Sequence, residues 1–366
     1  MDVNLNVLLT YEDLNMSCFG ENWGLEFSRE EIDQALAEGK ILSLELELTH
    51  ACNLRCIYCY AESGRALEDE LSFSEIIDAV DQAISLGARK IIVLGGGEPL
   101  VYPRLFEVID HILESGATAD LFTNGTLIDK EVAEKFYQKK IPIVIKQNSK
   151  IPEVQDFLAG KANSYTAIQR GLKNLLAVGY PDEDHRLGIQ TIVCKQNYNE
   201  LPDLWRWARN SGMVPYVETM TMQGRARKNL DLEVSTEKIK DLFETLAKID
   251  ENEFGKQWSP RPPLAASQCA RHEYSCTVTA NGDINPCPGV NIPVGNIRNN
   301  SLKEILRNSK VIQNLRNIRQ TIKGQCKECE FLSNCYGCRG HAYQISGDYL
   351  AEDSICWINQ SSQLGK

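Results

Sequence analysis

The chain of 366 residues carries 39 basic and 50 acidic side chains, a net charge of −11, and is 43% apolar and 24% charged. That composition is ordinary for a globular chain long enough for two domains, and the excess of carboxylates argues against a nucleic-acid partner. Residues 1–15 lack the basic and apolar regions of a signal peptide, and no uncharged apolar run reaches about 18 residues, so a soluble, cytoplasmic protein that engages no membrane is expected.

Residues 1–40 form an N-terminal extension with one predicted helix, residues 28–38, opened by the capping box Ser28 and Glu31 and stopped at Gly39. From Ile41 the alternation of Ser43, Glu45 and Glu47 with Leu44, Leu46 and Leu48 has period two, which predicts the first strand. The strand runs into Cys52-Asn53-Leu54-Arg55-Cys56-Ile57-Tyr58-Cys59, three thiols within eight residues. Three thiolates are one too few to close a tetrahedral zinc site or to saturate a cubane, so a cluster here keeps one open iron, as a catalytic metal requires; a partial zinc knuckle is the plainer alternative. Helices are then predicted at 72–86, 104–115, 129–138, 165–178, 200–211 and 235–249, and strands at 90–94, 119–122, 142–146, 187–194 and 214–219. Strands spaced by helices imply right-handed crossovers and a parallel sheet, whose six units are fewer than the eight of a closed barrel.

Loops that follow the strands hold further candidates. Gly95-Gly96-Gly97-Glu98-Pro99 follows the second strand, where consecutive glycines permit close backbone approach or positive φ. Asn148 and Ser149 follow the fourth strand, Asn197 the fifth and Arg225 the sixth. Cys194 ends a strand, which suits an inert core thiol better than a hydrogen-atom donor, and Cys18 has no evident partner.

Residues 257–268 include three prolines and read as a linker. Beyond them, residues 269–366 hold eight cysteines and one predicted helix, 301–319, and read as a separate cluster-binding domain. Cys326-x2-Cys329-x5-Cys335-x2-Cys338 packs four thiols into 13 residues, surrounded by Cys269, Cys276, Cys287 and Cys356. A zinc ribbon usually separates its two pairs by 15 to 20 residues rather than five, and without a secretory signal such clustering speaks for metal ligation over disulfides.

The cysteine loop, with aromatic Tyr58 before its third thiol, and the glycines followed by Glu98 resemble the radical S-adenosylmethionine (SAM) superfamily. The C-terminal cysteines resemble its SPASM extension, although Tyr336 and Gly337 supply two residues where three are usual. The resemblance implies an α/β fold: a partial (β/α)₆ parallel barrel over residues 41–256, followed by a cysteine-rich SPASM-type iron–sulfur domain. It implies three 4Fe–4S clusters. The first, on Cys52, Cys56 and Cys59, would bind and cleave SAM; the auxiliary pair would rest on Cys269, Cys276, Cys287 and Cys338, and on Cys326, Cys329, Cys335 and Cys356. Tyr58, Gly96, Gly97, Glu98, Asn148, Ser149, Asn197 and Arg225 would line the SAM site. The activity implied is that of an oxidoreductase that abstracts a substrate hydrogen and passes an electron to the auxiliary clusters, with a reducing flavodoxin or ferredoxin as partner. Peptide or protein maturation, by oxidation or crosslinking, is the leading reading and a dehydrogenase or epimerase of a small molecule such as an aminosugar or aminocyclitol the alternative, since 40 residues before the first strand are too few for an added leader-binding domain. A multicluster electron-transfer module without radical chemistry is the reading from another class.

Overall fold

The computed structural model describes residues 27–358, so Cys18 and most of the N-terminal extension lie outside the described residues. Helix α1 (Arg29–Ala37) has the expected capping box, Ser28 Oγ accepting from Glu31 N and the Glu31 carboxylate from Ser28 N. The alternating units follow as β1 (Ser43–Leu46), α2 (Phe73–Ser85), β2 (Lys90–Val93), α3 (Leu105–Glu114), β3 (Thr118–Thr123), α4 (Lys130–Gln138), β4 (Ile143–Lys146), α5 (Pro152–Ala159), α6 (Ser164–Val178), β5 (Leu187–Val193), α7 (Leu201–Asn210), β6 (Val214–Thr219) and α8 (Thr236–Ile249). Strands β1 to β6 are parallel and lie side by side in chain order, as the βαβ reading requires. Leu44 and Leu46 of β1 face a core shared with Ile76 and Val80 of α2, while Ser43, Glu45 and Glu47 occupy the other face of the sheet.

The C-terminal segment is continuous with this body. β7 (Thr277–Val278) adds to β1 in parallel and β8 (Ile284–Asn285) pairs with β7, extending one sheet to eight strands. Cys276, Val278, Ile284, Leu302 and Ile305 join the same apolar core as α2 and α3. Nor does the proline-rich stretch behave as a free linker: Thr219 N donates to Pro263 O and Ala265 N to Val217 O, which seats it along the open edge of β6. One helix over 301–319 was expected, and three short ones form, α10 (Leu302–Asn308), α11 (Lys310–Arg316) and α12 (Ile318–Thr321). Ser309 leaves helical geometry with ψ 119° to cap α11, accepting from Ile312 N, and Asn317 breaks the next junction; short polar side chains compete with the helical backbone for its hydrogen bonds. α9 (Arg271–Tyr274) and α13 (Arg339–Ser346) complete the order, and no helix among the described residues is long and apolar enough to cross a membrane.

Candidate iron–sulfur and SAM site

The cysteine loop emerges from the carboxyl end of β1 and is held from three sides. α5, which sequence periodicity did not reveal, ends beneath it, where Arg55 N donates to Ala159 O and Ile57 N to Leu158 O. The glycine loop after β2 lies against its start: Gly97 N donates to Thr49 O (2.7 Å) and Glu98 N to Ala51 O (2.9 Å). A Cβ on Gly97 would sit 1.9 Å from Ala51 O, so a close approach of two backbones, rather than chain reversal, requires glycine there. The third side is the segment after β6. Arg225 N donates to Cys59 O (2.9 Å), its Nε to Cys56 O (2.7 Å) and its Nη1 to Ser63 O (3.0 Å).

Glu98 is buried beside the loop, and its carboxylate accepts from Thr123 Oγ1 (2.5 Å) and Asn124 N (2.7 Å) at the end of β3. Burial pushes its pKa up while those donors pull it down. Gly96 N donates to Tyr60 Oη (3.3 Å), a residue the sequence reading passed over.

Tyr58, Gly96, Gly97 and Glu98 line one cavity with the three thiols. Four other residues do not. Asn148 donates to Tyr58 Oη (2.6 Å) and accepts from Ile192 N; Asn197 accepts from Cys194 N and donates to Asn148 O; Ser149 Oγ donates to Glu200 (2.5 Å). All three are fully buried and brace the ends of β4 and β5. Arg225 clasps the cysteine loop from behind, and with those braces it leaves the cavity wall to others, among them Lys146, Ile192 and Tyr216.

That cavity, about 320 Å³, is lined by Cys52, Cys56 and Cys59 and also by Cys269, Cys287 and Cys338. The second group is anchored to the sheet by Glu45, whose carboxylate pairs with Arg271 and accepts from Thr277 Oγ1 (2.7 Å). A larger outer groove, about 540 Å³, adjoins the cavity at Tyr60, Gln223 and Pro288 and carries Glu62, Arg227 and Lys228 on its walls.

Cys276, expected with the second group, is elsewhere. It precedes Thr277 on β7, and alternation turns it to the face of Val278, fully buried in the apolar core beneath α2. His272 of α9 lines the cavity in its stead, Nε2 3.2 Å from Cys287 Sγ. Cys335 and Cys326 interact electrostatically away from the cavity, and Asp353 N donates to Cys326 Sγ (3.5 Å).

The sulfurs suit iron–sulfur ligation. Every described cysteine is free of disulfide. Backbone N–H groups point at thiol sulfurs at Leu54→Cys52 (3.5 Å), Val290→Cys287 (3.3 Å), Gly337→Cys335 (3.4 Å) and His341→Cys338 (3.5 Å), an arrangement that stabilises thiolate rather than thiol. Burial pushes the Cys56 thiol up to about 12 and Cys269 to about 11, so a metal that binds these sulfurs would have to displace their protons. Cys194 is buried too, in an apolar cluster with Leu158 and Met220.

Residues 46–208 match the Radical SAM superfamily, and residues 269–330 match SPASM, an iron–sulfur cluster-binding domain. The protein is a radical SAM enzyme with a C-terminal SPASM domain. It is 28% identical over 336 residues to an AdoMet-dependent heme synthase of Methanosarcina barkeri, covering 85% of this chain and 94% of that one. It is 26% identical over 310 residues to the mycofactocin maturase MftC of Mycobacterium ulcerans, covering 81% and 77%. Among solved structures, Streptococcus suis SuiB bound to S-adenosylmethionine superposes with a TM-score of 0.68 at 18% identity, over 90% of this chain and 84% of that one. The protein anSMEcpe with bound AdoMet superposes with a TM-score of 0.67 at 15% identity, over 88% and 91%. These likenesses confirm the α/β fold with its radical SAM and SPASM parts. SAM binding and iron–sulfur clusters follow from the two domains.

Proposed function

We propose that this radical SAM enzyme performs a two-electron oxidation of a peptide or protein side chain. The observation that carries the proposal is the shared cavity: Cys52, Cys56 and Cys59 line it together with Cys269, Cys287 and Cys338, and the charged outer groove adjoins it. Cys52, Cys56 and Cys59 would hold a cluster that, when bound, would supply the one electron needed for reductive cleavage of SAM and hence for hydrogen-atom abstraction from the substrate. The chain's own residues do the rest. Arg225 and Gly97 fix the loop that presents the open position, Glu98 and Tyr58 wall the nucleoside side, and the C-terminal thiolates hold the acceptors for the second electron. In this reading three four-iron clusters are present, the last on Cys326, Cys329, Cys335 and Cys356, and a reducing flavodoxin or ferredoxin primes the first.

The groove suits an extended chain that enters past Tyr60 and Gln223, with Glu62, Arg227 and Lys228 to select among charged neighbours. A second reading, a tetrapyrrole substrate, is favoured by the heme synthase relative, which matches over 94% of its length. Anaerobic incubation with SAM and reductant tests both, with 5′-deoxyadenosine and substrate mass as readouts. Peptide substrates should raise 5′-deoxyadenosine formation and lose two mass units; stimulation by iron porphyrins alone selects the second reading. The Cys56→Ala variant should form no 5′-deoxyadenosine, and SAM cleavage that persists in it would refute the assignment of the open site.

A further inference from the structure

We propose that the auxiliary cluster facing the cavity is held by Cys269, Cys287, Cys338 and the imidazole of His272, with Cys276 a core residue. The inference rests on the reading of this site as a four-iron cluster and specifies how its fourth position is filled.

Three observations converge. Strand pairing fixes Glu45 opposite Thr277 and Leu46 opposite Val278, so the interior of the barrel faces Thr277 and the helical layer faces Val278. Cys276 shares the parity of Val278; it is fully buried and packs in the core of Leu44, Ile76 and Leu302. Reaching the cavity would require β7 to slip by one residue, which would turn Val278 and Cys276 inward together and drive Thr277 off Glu45.

His272 is placed oppositely. Its ring is 4% exposed and lines the cavity, and Nε2 is already 3.2 Å from the Cys287 sulfur. Nδ1 is buried and has no hydrogen-bond partner. Buried imidazole nitrogens are nearly always satisfied, so an orphaned one beside three thiols marks a missing partner. Besides the sulfur, the ring meets Tyr336 edge-on, 6.0 Å between ring centroids, a contact that leaves Nδ1 without a hydrogen-bond partner. Imidazole in place of one thiolate leaves a cluster one unit less negative, and nitrogen ligation raises the reduction potential of iron–sulfur centres. A higher potential on the cluster nearest the reacting carbon makes it the better acceptor for the second electron.

The test uses the full chain, reconstituted anaerobically without SAM, with Cys52, Cys56 and Cys59 replaced by Ala so that only auxiliary clusters remain. Reduced samples are examined for nitrogen hyperfine coupling by pulsed electron paramagnetic resonance, after labelling with ¹⁵N-histidine. A directly coordinated nitrogen, lost in His272→Cys with iron content unchanged, is expected, together with a lower reduction potential in that variant. Cys276→Ala should keep the iron, the coupling and the potential. Loss of cluster iron in a folded Cys276→Ala chain, or no coupling in a parent that binds its full iron, overturns the inference. If Cys269→Ser also leaves iron unchanged, the cluster reading itself fails, and the two failures are thereby distinguished.

Discussion

Replacing Arg225 by Lys separates two roles that sequence alone cannot. The guanidinium donates to Cys56 O and Ser63 O, two carbonyls in different parts of the loop. Hydrogen bonds from a charged donor contribute about 1.5–3 kcal/mol each, and the single ammonium of Lys can replace one but not the fork. The expected loss is therefore about 2 kcal/mol, borne by the loop and not by the barrel, which raises the population of the opened loop about 30-fold. The backbone bond from residue 225 to Cys59 O survives the change and keeps the segment in place. The assay is anaerobic iron loss from the first cluster to a chelator, with the auxiliary clusters as internal reference, alongside KM for SAM. Faster loss from the Cys52, Cys56 and Cys59 site at nearly constant KM is the expected pattern. A raised KM with cluster retention unchanged would mean that Arg225 contacts SAM, and the clasp would be wrong.

Gly97→Ala should cut SAM cleavage at least about tenfold and deplete the first cluster, because its Cβ would collide with Ala51 O at 1.9 Å and part the two loops; normal turnover in the variant would show that the close approach is dispensable. Glu47, buried at the outer groove, has its carboxyl pushed up from 4.5 to about 7 by burial. The folded chain therefore holds that proton more tightly, and its stabilising contribution, complete below pH 4.5, falls away as pH rises through about 7, a swing of ~3 kcal/mol. Glu47→Gln should flatten the difference in urea midpoint between pH 4.5 and 7.5; a parallel curve would refute the assignment. Replacing Cys52, Cys56 and Cys59 together should remove about a third of roughly 12 bound iron atoms, with zinc at the C-terminal thiols the result that would sink the three-cluster reading.

What the sequence made legible is local. The alternation at β1 set Glu45 and Glu47 inward and Leu44 and Leu46 toward the helices, and the three thiols of Cys52, Cys56 and Cys59 announce themselves because they are neighbours. Contacts that span the chain left no local signal. Arg225 lies 169 residues from Cys56, and nothing in Gln223-Gly224-Arg225 indicates that the guanidinium turns toward the loop rather than the ligand. Asn148 and Asn197 were read as nucleoside contacts because loops at carboxyl ends of parallel strands commonly bind ligands; here they are tied to each other and to Tyr58. The resemblance sets Cys276 with Cys269, Cys287 and Cys338, whereas β7 is two residues long, too short for its inward and outward parity to show as a pattern.

The two C-terminal groups interleave in sequence, and Asp353 shows how the fold joins them. Its carboxylate accepts from Cys338 N (2.7 Å), in the group of thiols that lines the cavity, while its own N–H points at Cys326 Sγ (3.5 Å). Burial pushes that carboxyl up, but His341 and the Cys338 amide outweigh it and hold it below its ordinary value, so the bridge carries a charge. Asp353 thus contacts both segments, and Cys326 also packs with Leu315, Ile318 and Tyr336. Cys329 is half-exposed and lies outside that apolar cluster, which makes Cys329→Ser the cleaner way to disable the distal cluster proposed above. In that variant SAM cleavage should persist while oxidised product falls, because hydrogen abstraction needs only the first cluster and removal of the second electron needs a sink. Undiminished oxidised product from a folded chain shown to lack the distal cluster would mean that it is structural, and the cavity-facing cluster alone would be left as the acceptor.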